Sequence, residues 1–343
     1  MAKRVAILTG GGDCPGLNPA IRGCVMNGLD KGLEFIGLQE GWRGLVEGKT
    51  QPLSLTDVKE IVGKGGTILG TSRTNPFKKE GAVAKCLETF KKLNLHALVA
   101  LGGEDTLGVA ARFYKEHKLP VVGVPKTMDN DLSATDYTFG FDTATTIAVD
   151  AAERLRDTGR SHRRIMVLEV MGRHAGWVAL FTSIASAADW LLLPERAADL
   201  PAMCAHLKKV HARDNVAIVI TSEAVTLPGM KTESEELDQF GHMLLKNRGV
   251  GETVAEIIEK DTGIETRAAV IGHIQRGGAP TLFDRILGTR VGAKAAELVV
   301  NGQFGQMVAL RGNDVLGVSL EEATSKLKTV PPSWLALADI FFK

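Results

Sequence analysis

Through most of its length the sequence sets down a short run of aliphatic, β-branched-rich residues, closes it with glycine or a polar cluster, and follows it with helical periodicity. The runs read VAILT, LEFIGL, HALVALGG, LPVVGV, IMVLEV, WLLLP, NVAIVIT and AAVIGH. Unbroken apolar runs of that length bury both faces of a strand, which requires parallel strands with crossover helices above and below the sheet. Helical patterns fall between them, at 19–31, 81–92, 106–117, 143–156 and 283–300. The expected fold class is therefore α/β. At 343 residues the chain exceeds the length at which one core keeps growing, so two α/β domains, or one large one, are expected.

Open parallel sheets collect ligands beyond the carboxyl ends of their strands, and the loops there are where chemistry is to be sought. The first strand, 4–9, runs into GGGDCPGLN and then into a helix. Glycines let a backbone approach an anion closely, and helix N-terminal N–H groups hold phosphate. Glycines alone suit a tight strand-to-helix turn equally well. A dinucleotide fingerprint fails because its third glycine would be Pro15, and no G-x-x-x-x-G-K-S/T P-loop occurs. A second turn of the same type reads Gly102, Gly103, Glu104, Asp105, Thr106. Two such turns imply a polyphosphate between them.

After the LPVVGV run comes PKTMDND, which sets Asp129 and Asp131 two residues apart beside Lys126 and Thr127. Phosphoryl transfer needs a base near the accepting hydroxyl, a hard metal ion on oxygen ligands, and positive charge where negative charge develops. This heptad offers all three, although an Asp-Asn-Asp loop by itself is commonly turn chemistry. MGRHAG follows another apolar strand and HIQRGG a later one, placing Arg173 and Arg276 at matching strand ends, while Arg164 and Arg267 open those strands. Arginine's planar fork suits phosphate, so these four suggest a clamp.

Forty-one Lys plus Arg against 40 Asp plus Glu leave a formal charge of +1. Neither a nucleic-acid nor a membrane partner is expected from that balance, and any anion site must be local. The four cysteines show no C-x-x-C spacing and no metal-finger pattern, and the opening MAKRVAILTG has too short an apolar run for a signal core, which suits a cytoplasmic protein. The stretch 229–251 is polar and acidic and reads as a solvated surface helix and loop.

Together, GGGDCPGLNPAIRG, GTSRTNPF, GGEDT, PKTMDND, SHRRI with VMGRHAGW, and ETRAAVIGHIQRGG resemble, in this order, the phosphofructokinase family from residue 2 to about 300. The resemblance implies two doubly wound domains with mostly parallel sheets and the active site in the cleft between them. Its division would assign 1–140 plus 253–304 to a donor-binding domain and 141–252 plus 305–343 to a fructose 6-phosphate-binding domain. It implies a Mg2+-dependent transfer to the 1-hydroxyl of fructose 6-phosphate. Asp129 matches the base, with Thr127 at the reacting groups; Met171, Gly172, Arg173 and Glu223 match sugar positions, and His273 and Arg276 the 6-phosphate clamp. Gly12 and Arg73 match donor contacts, and Glu104 falls on the metal position, usually an aspartate. Arg164 and Arg267 match arginines lent to a neighbour's site, which implies a homodimer or homotetramer with shared active sites.

The donor turns on Asp105 and Lys126. ATP-using members generally carry glycine where this chain has Asp105, and often glycine where it has Lys126. A carboxylate there would occupy the space of the ATP α-phosphate and repel it. The pair therefore reads as a pyrophosphate site, with both residues acting in catalysis. An ATP-dependent enzyme and a non-catalytic sugar-phosphate-binding protein are the alternatives; for the second, the catalytic acid would have to be lost, and Asp129 is present.

Overall fold

The computed structural model describes residues 3–228 and 249–341. Of the acidic stretch 229–251, all but 249–251 lies outside the described residues.

Seven strands make the first sheet: β1 (Lys3–Thr9), β2 (Leu33–Leu38), β3 (Thr50–Leu53), β4 (Leu95–Gly102), β5 (Val121–Pro125), β10 (Gln306–Arg311) and β11 (Asp314–Ser319). Four make the second: β6 (Ile165–Val170), β7 (Trp190–Leu192), β8 (Ala217–Ser222) and β9 (Thr266–Val270). The first runs β11-β10-β5-β4-β1-β2-β3 and the second β7-β8-β6-β9. Pairing is parallel throughout the second sheet and antiparallel in the first only at its rims, between β2 and β3 and between β10 and β11. Val5 to Leu8 of β1 and Ala217 to Ile220 of β8 are wholly buried, because helices cover both faces as the apolar runs require.

Three strands lie outside the runs named from the sequence. β3 contains Pro52, which is tolerated because the strand is the sheet's edge. β10 and β11 form a hairpin whose outer strand is half buried between its exposed ends, Asp314 and Ser319. Sheet membership also departs from the division drawn on the resemblance. β9, inside 253–304, closes the second sheet with Thr266 opposite Ile165. β10 and β11, inside 305–343, extend the first, with Gln306 opposite Val122 and with Met307 and Ala309 in its core.

The helix Phe141–His162 joins the two sheets, and its 22 residues span about 33 Å. On the first sheet the helices Leu17–Asp30 and Leu282–Val300 lie unusually close, and glycine is the reason. A Cβ built on Gly23 would stand 2.3 Å from the Thr289 carbonyl oxygen, and one on Gly292 would stand 2.0 Å from that of Ala20. Among the described residues no helix is long and apolar enough to cross a membrane. Gly292→Ala should force these helices apart and destabilise the protein by about 1–3 kcal/mol. Urea denaturation measures this, and an unchanged midpoint would refute the tight-packing account.

Candidate active site

At the carboxyl edge of the first sheet, two glycine turns interlock around one threonine. Gly10 donates to the Leu101 carbonyl at 2.9 Å, and Gly11 to that of Ser72 at 3.1 Å. Thr106 fills the space between the turns: a Cβ on Gly10 would lie 2.6 Å from its Oγ1, and one on Gly102 would lie 2.2 Å from its Cβ. The helix Glu104–His117 starts at this point, with Glu104 and Asp105 in its first turn, where the helix dipole favours carboxylates.

β5 delivers Lys126 under these turns. Its backbone N–H donates to the Gly102 carbonyl at 3.0 Å and its ammonium to that of Gly12. Burial pushes the ammonium below its ordinary pKa, with Asp13 and Asp129 among the charges that oppose the shift. The following loop is held by its own hydroxyls. Thr127 Oγ1 accepts from the Asp129 N–H at 3.1 Å, Thr138 Oγ1 donates to the Thr127 carbonyl at 2.6 Å, and Asn130 Oδ1 accepts from the Thr138 N–H at 3.1 Å. Asn130 sits at φ +52°, a left-handed conformation that asparagine tolerates. Asp129 Oδ1 is buried with no hydrogen-bond partner. Its neighbour Asp131 is pushed up to about 7, first by burial and then by the charge of Asp129.

The second sheet supplies the facing wall. Met171 follows β6, and its N–H donates to Gln275 Oε1 at 2.8 Å; Gln275 in turn donates to the Ala144 carbonyl at 3.2 Å. Gly172 donates to Glu223 Oε1 at 3.2 Å, and burial lifts Glu223 to about 6 against that hydrogen bond. After β9, Arg276 crosses to the first sheet and donates from Nη1 to the Asp13 carbonyl at 3.0 Å. A Cβ on Gly12 would lie 2.7 Å from that nitrogen, so a larger residue would have to displace the guanidinium.

These loops enclose a cleft of about 300 Å³. From the first sheet come Gly12, Arg73, Glu104, Asp105, Lys126, Thr127 and Asp129; from the second come Met171, Arg173, Glu223, His273 and Arg276. Gly172 is not in the wall but holds Glu223 in place. Arg164 and Arg267 are not brought in. They sit at the amino ends of β6 and β9, about 15–20 Å of strand away, where both pair with Glu265 at 2.7 and 2.5 Å. Two supporting residues have no assigned role in the sequence reading: Thr106, whose part is to fill space, and Gln275, a buried amide inside HIQRGG. Among the described residues no group of three or more His, Cys, Asp or Glu side chains is arranged to hold a metal ion. The site thus combines buried carboxylates, a buried ammonium, two guanidinium groups on one wall and a helix N-terminus. Such a set can bind two phosphate groups and take a proton between them.

Residues 4–299 match the phosphofructokinase family. A pyrophosphate–fructose 6-phosphate 1-phosphotransferase of Dictyoglomus thermophilum is 54% identical over 343 residues, covering 99% of this chain and 98% of the relative. An ATP-dependent 6-phosphofructokinase of Streptomyces coelicolor is 43% identical over 340 residues, covering 98% and 99%. The phosphofructokinase of Pichia pastoris, solved in its T-state, superposes with a TM-score of 0.81 at 29% identity. That match takes in 100% of this chain and 37% of the longer one.

The raised Asp131 has a consequence for stability. Its pKa in the fold lies above the ordinary value of 3.8, so the folded protein keeps a proton that the unfolded chain has released. The associated stability is complete below about pH 4 and is lost as pH rises through about 7. Asp131→Asn should therefore gain on the wild type more at pH 8 than at pH 5 in ligand-free urea denaturation. An equal gap at the two pH values would overturn the assignment of strain to this carboxylate.

Proposed function

The chain belongs to the phosphofructokinase family, and from that premise we propose that it transfers a phosphoryl group from pyrophosphate to the 1-hydroxyl of fructose 6-phosphate. Asp129 takes the hydroxyl proton, and its unpartnered buried oxygen suits that part. The sugar oxygen then forms a bond to the terminal phosphorus as the bridging P–O bond breaks, giving fructose 1,6-bisphosphate and inorganic phosphate. Lys126, Arg73 and Gly12, which line the cleft, bear on the charge that develops on the transferring group. Met171, Arg173 and Glu223 hold the sugar, with Gly172 fixing Glu223 through its N–H, and His273 and Arg276 bind the 6-phosphate. Thr127 fixes the backbone of the base and faces the reacting groups.

A magnesium ion fits without a cage of protein ligands, because Mg2+ keeps several waters and binds through one or two carboxylates plus substrate phosphates. Glu104 would hold it, near Asp131, which burial first and then the charge of Asp129 push up to about 7. The ion supplies neutralisation of phosphate charge.

The donor assignment rests on where Asp105 stands. It lines the cleft and also the rim of an adjoining hollow of about 230 Å³ formed with Asn75, Phe77 and Arg112, whose guanidinium lies 4.1 Å from the Phe77 ring centre. A nucleotide reaching that hollow would lead its α-phosphate past the carboxylate, and like charges 4 Å apart cost about 4 kcal/mol at an effective dielectric of 20. Pyrophosphate ends before that point. The relatives named for pyrophosphate also share more of the sequence than those named for ATP. Wild type should prefer pyrophosphate strongly in a coupled assay, and Asp105→Gly should raise the ATP-to-pyrophosphate ratio of kcat/KM by about two to three orders of magnitude. Equal use of both donors by wild type would install the ATP-dependent reading instead.

Arg164 and Arg267 are assigned to a neighbouring subunit's site, in a homodimer or homotetramer. Their distance from the cleft of their own chain supports this, as does exposed apolar surface at Ile274, Leu282 and Ile286. Four buried, unpaired cysteines suit a reducing, cytoplasmic setting. Mixed oligomers of Asp129→Ala and Arg267→Ala subunits, each inactive alone, should regain activity through hybrid sites. Verified mixed oligomers with none would remove the shared-site assignment.

A further inference from the structure

The residues beyond 300 carry no family motif, yet one of them reaches the loop that bears the base. Leu327 forms a β-bridge with Leu132, and the N–H of Lys328 donates to the Asp131 carbonyl at 2.7 Å. The ammonium of Lys328 then meets three oxygens: Asn130 Oδ1 at 3.0 Å and the Thr135 and Asp136 carbonyls at 2.9 Å each. Three acceptors match the three hydrogens of an ammonium, one to one. Burial lowers Lys328 to about 8, with Asp136 and Asp131 opposing, so the group is charged at neutral pH.

The same residue touches the opposite wall. Its carbonyl accepts from Trp177 Nε1 at 2.7 Å, and its ammonium lies 5.6 Å from that ring's centre. Trp177 opens the helix that follows MGRHAG. Two residues further on, the Val330 N–H donates to Glu195 Oε1 at 3.0 Å, and the same oxygen accepts from the Gly176 N–H at 2.9 Å. Residues 327–330 thus form a strap between the loop of Asp129 and the loop of Arg173.

We propose that Lys328 is a positioning residue for phosphoryl transfer, holding the Asn130 turn, and through it Asp129, in register with the sugar-binding loop across the cleft. This rests on the function proposed above. Asn130 is the residue after the base and its left-handed backbone is held by its own side chain. Lys328 holds that side chain by its ammonium and the next carbonyl by its backbone N–H, so removing the ammonium loosens the turn by releasing Asn130 Oδ1 and the Thr135 and Asp136 carbonyls, while leaving every substrate contact in place.

The test is Lys328→Met and Lys328→Arg in the full-length enzyme, with steady-state kinetics and hydrogen–deuterium exchange across 127–138. Lys328→Met retains length and apolar bulk and should lower kcat by about ten- to a hundredfold, the cost of misplacing a reacting group, with both KM values nearly unchanged. Lys328→Arg, still charged, should fall between it and wild type, and amides in 127–138 should exchange faster in the Met variant. Wild-type kcat, unchanged exchange, or an effect confined to KM would overturn the proposal. If the Met variant does not fold, the Arg variant decides on the same readouts. If wild type forms no fructose 1,6-bisphosphate from pyrophosphate, the transfer reading fails, and exchange across 127–138 still decides whether Lys328 holds the turn.

Discussion

One ammonium, that of Lys126, is buried beneath two glycine turns at the cleft and donates to the Gly12 carbonyl. A buried cation is tolerable when opposite charge lies near, and here Asp13 and Asp129 supply it. The reverse also holds, because carboxylates crowded into the same cleft need positive charge close by. The turns, the threonine between them and the helix N-terminus are the means of keeping these charges apart from water and close to one another. Glycine at 10, 11, 12 and 102 follows from that packing, since larger residues would strike Thr106 or Arg276 or stand in a strained backbone.

The second wall balances the first by a different route. It offers arginine, histidine and a carboxylate with a raised pKa, held by a buried amide that ties Met171 to the helix joining the sheets. From this wall, Arg276 hydrogen-bonds to a backbone carbonyl of the glycine turn opposite. Separation of the two sheets is therefore a variable that acts on every distance in the cleft at once, and the strap at 327–330 is placed to limit it.

Much of this was legible in the sequence because it is written in local order. Runs such as VAILT and NVAIVIT announce strands covered on both faces, and the motif at each strand's end marks a wall of the cleft. β3 and β11 escaped because an edge strand needs no unbroken run, and the exchange of β9 for β10 and β11 between sheets is a matter of pairing that no local pattern records. Gln275 and Thr106 act through space filling and backbone contacts, which leave no chemical signature in a string of letters. Lys328 is almost 200 residues from the loop it holds, and a lone lysine in a tail reads as solvated surface. Arg164 and Arg267 were legible as strand-opening residues, and their place at the far ends of β6 and β9 follows from that.

The chain's return to the first sheet bears on how the protein is made. β5 lies beside β4 early, but its other neighbour, β10, is about 180 residues further along. On a ribosome adding roughly 5 to 20 residues each second, that flank of β5 waits roughly 10 to 35 s for its partner. Throughout that interval an apolar strand with unanswered N–H and C=O groups faces solvent or whatever attends the nascent chain. The order in which the segments emerge thus makes the newborn polypeptide a customer for chaperones in a way that the finished molecule, with both rims closed by antiparallel strands, no longer is.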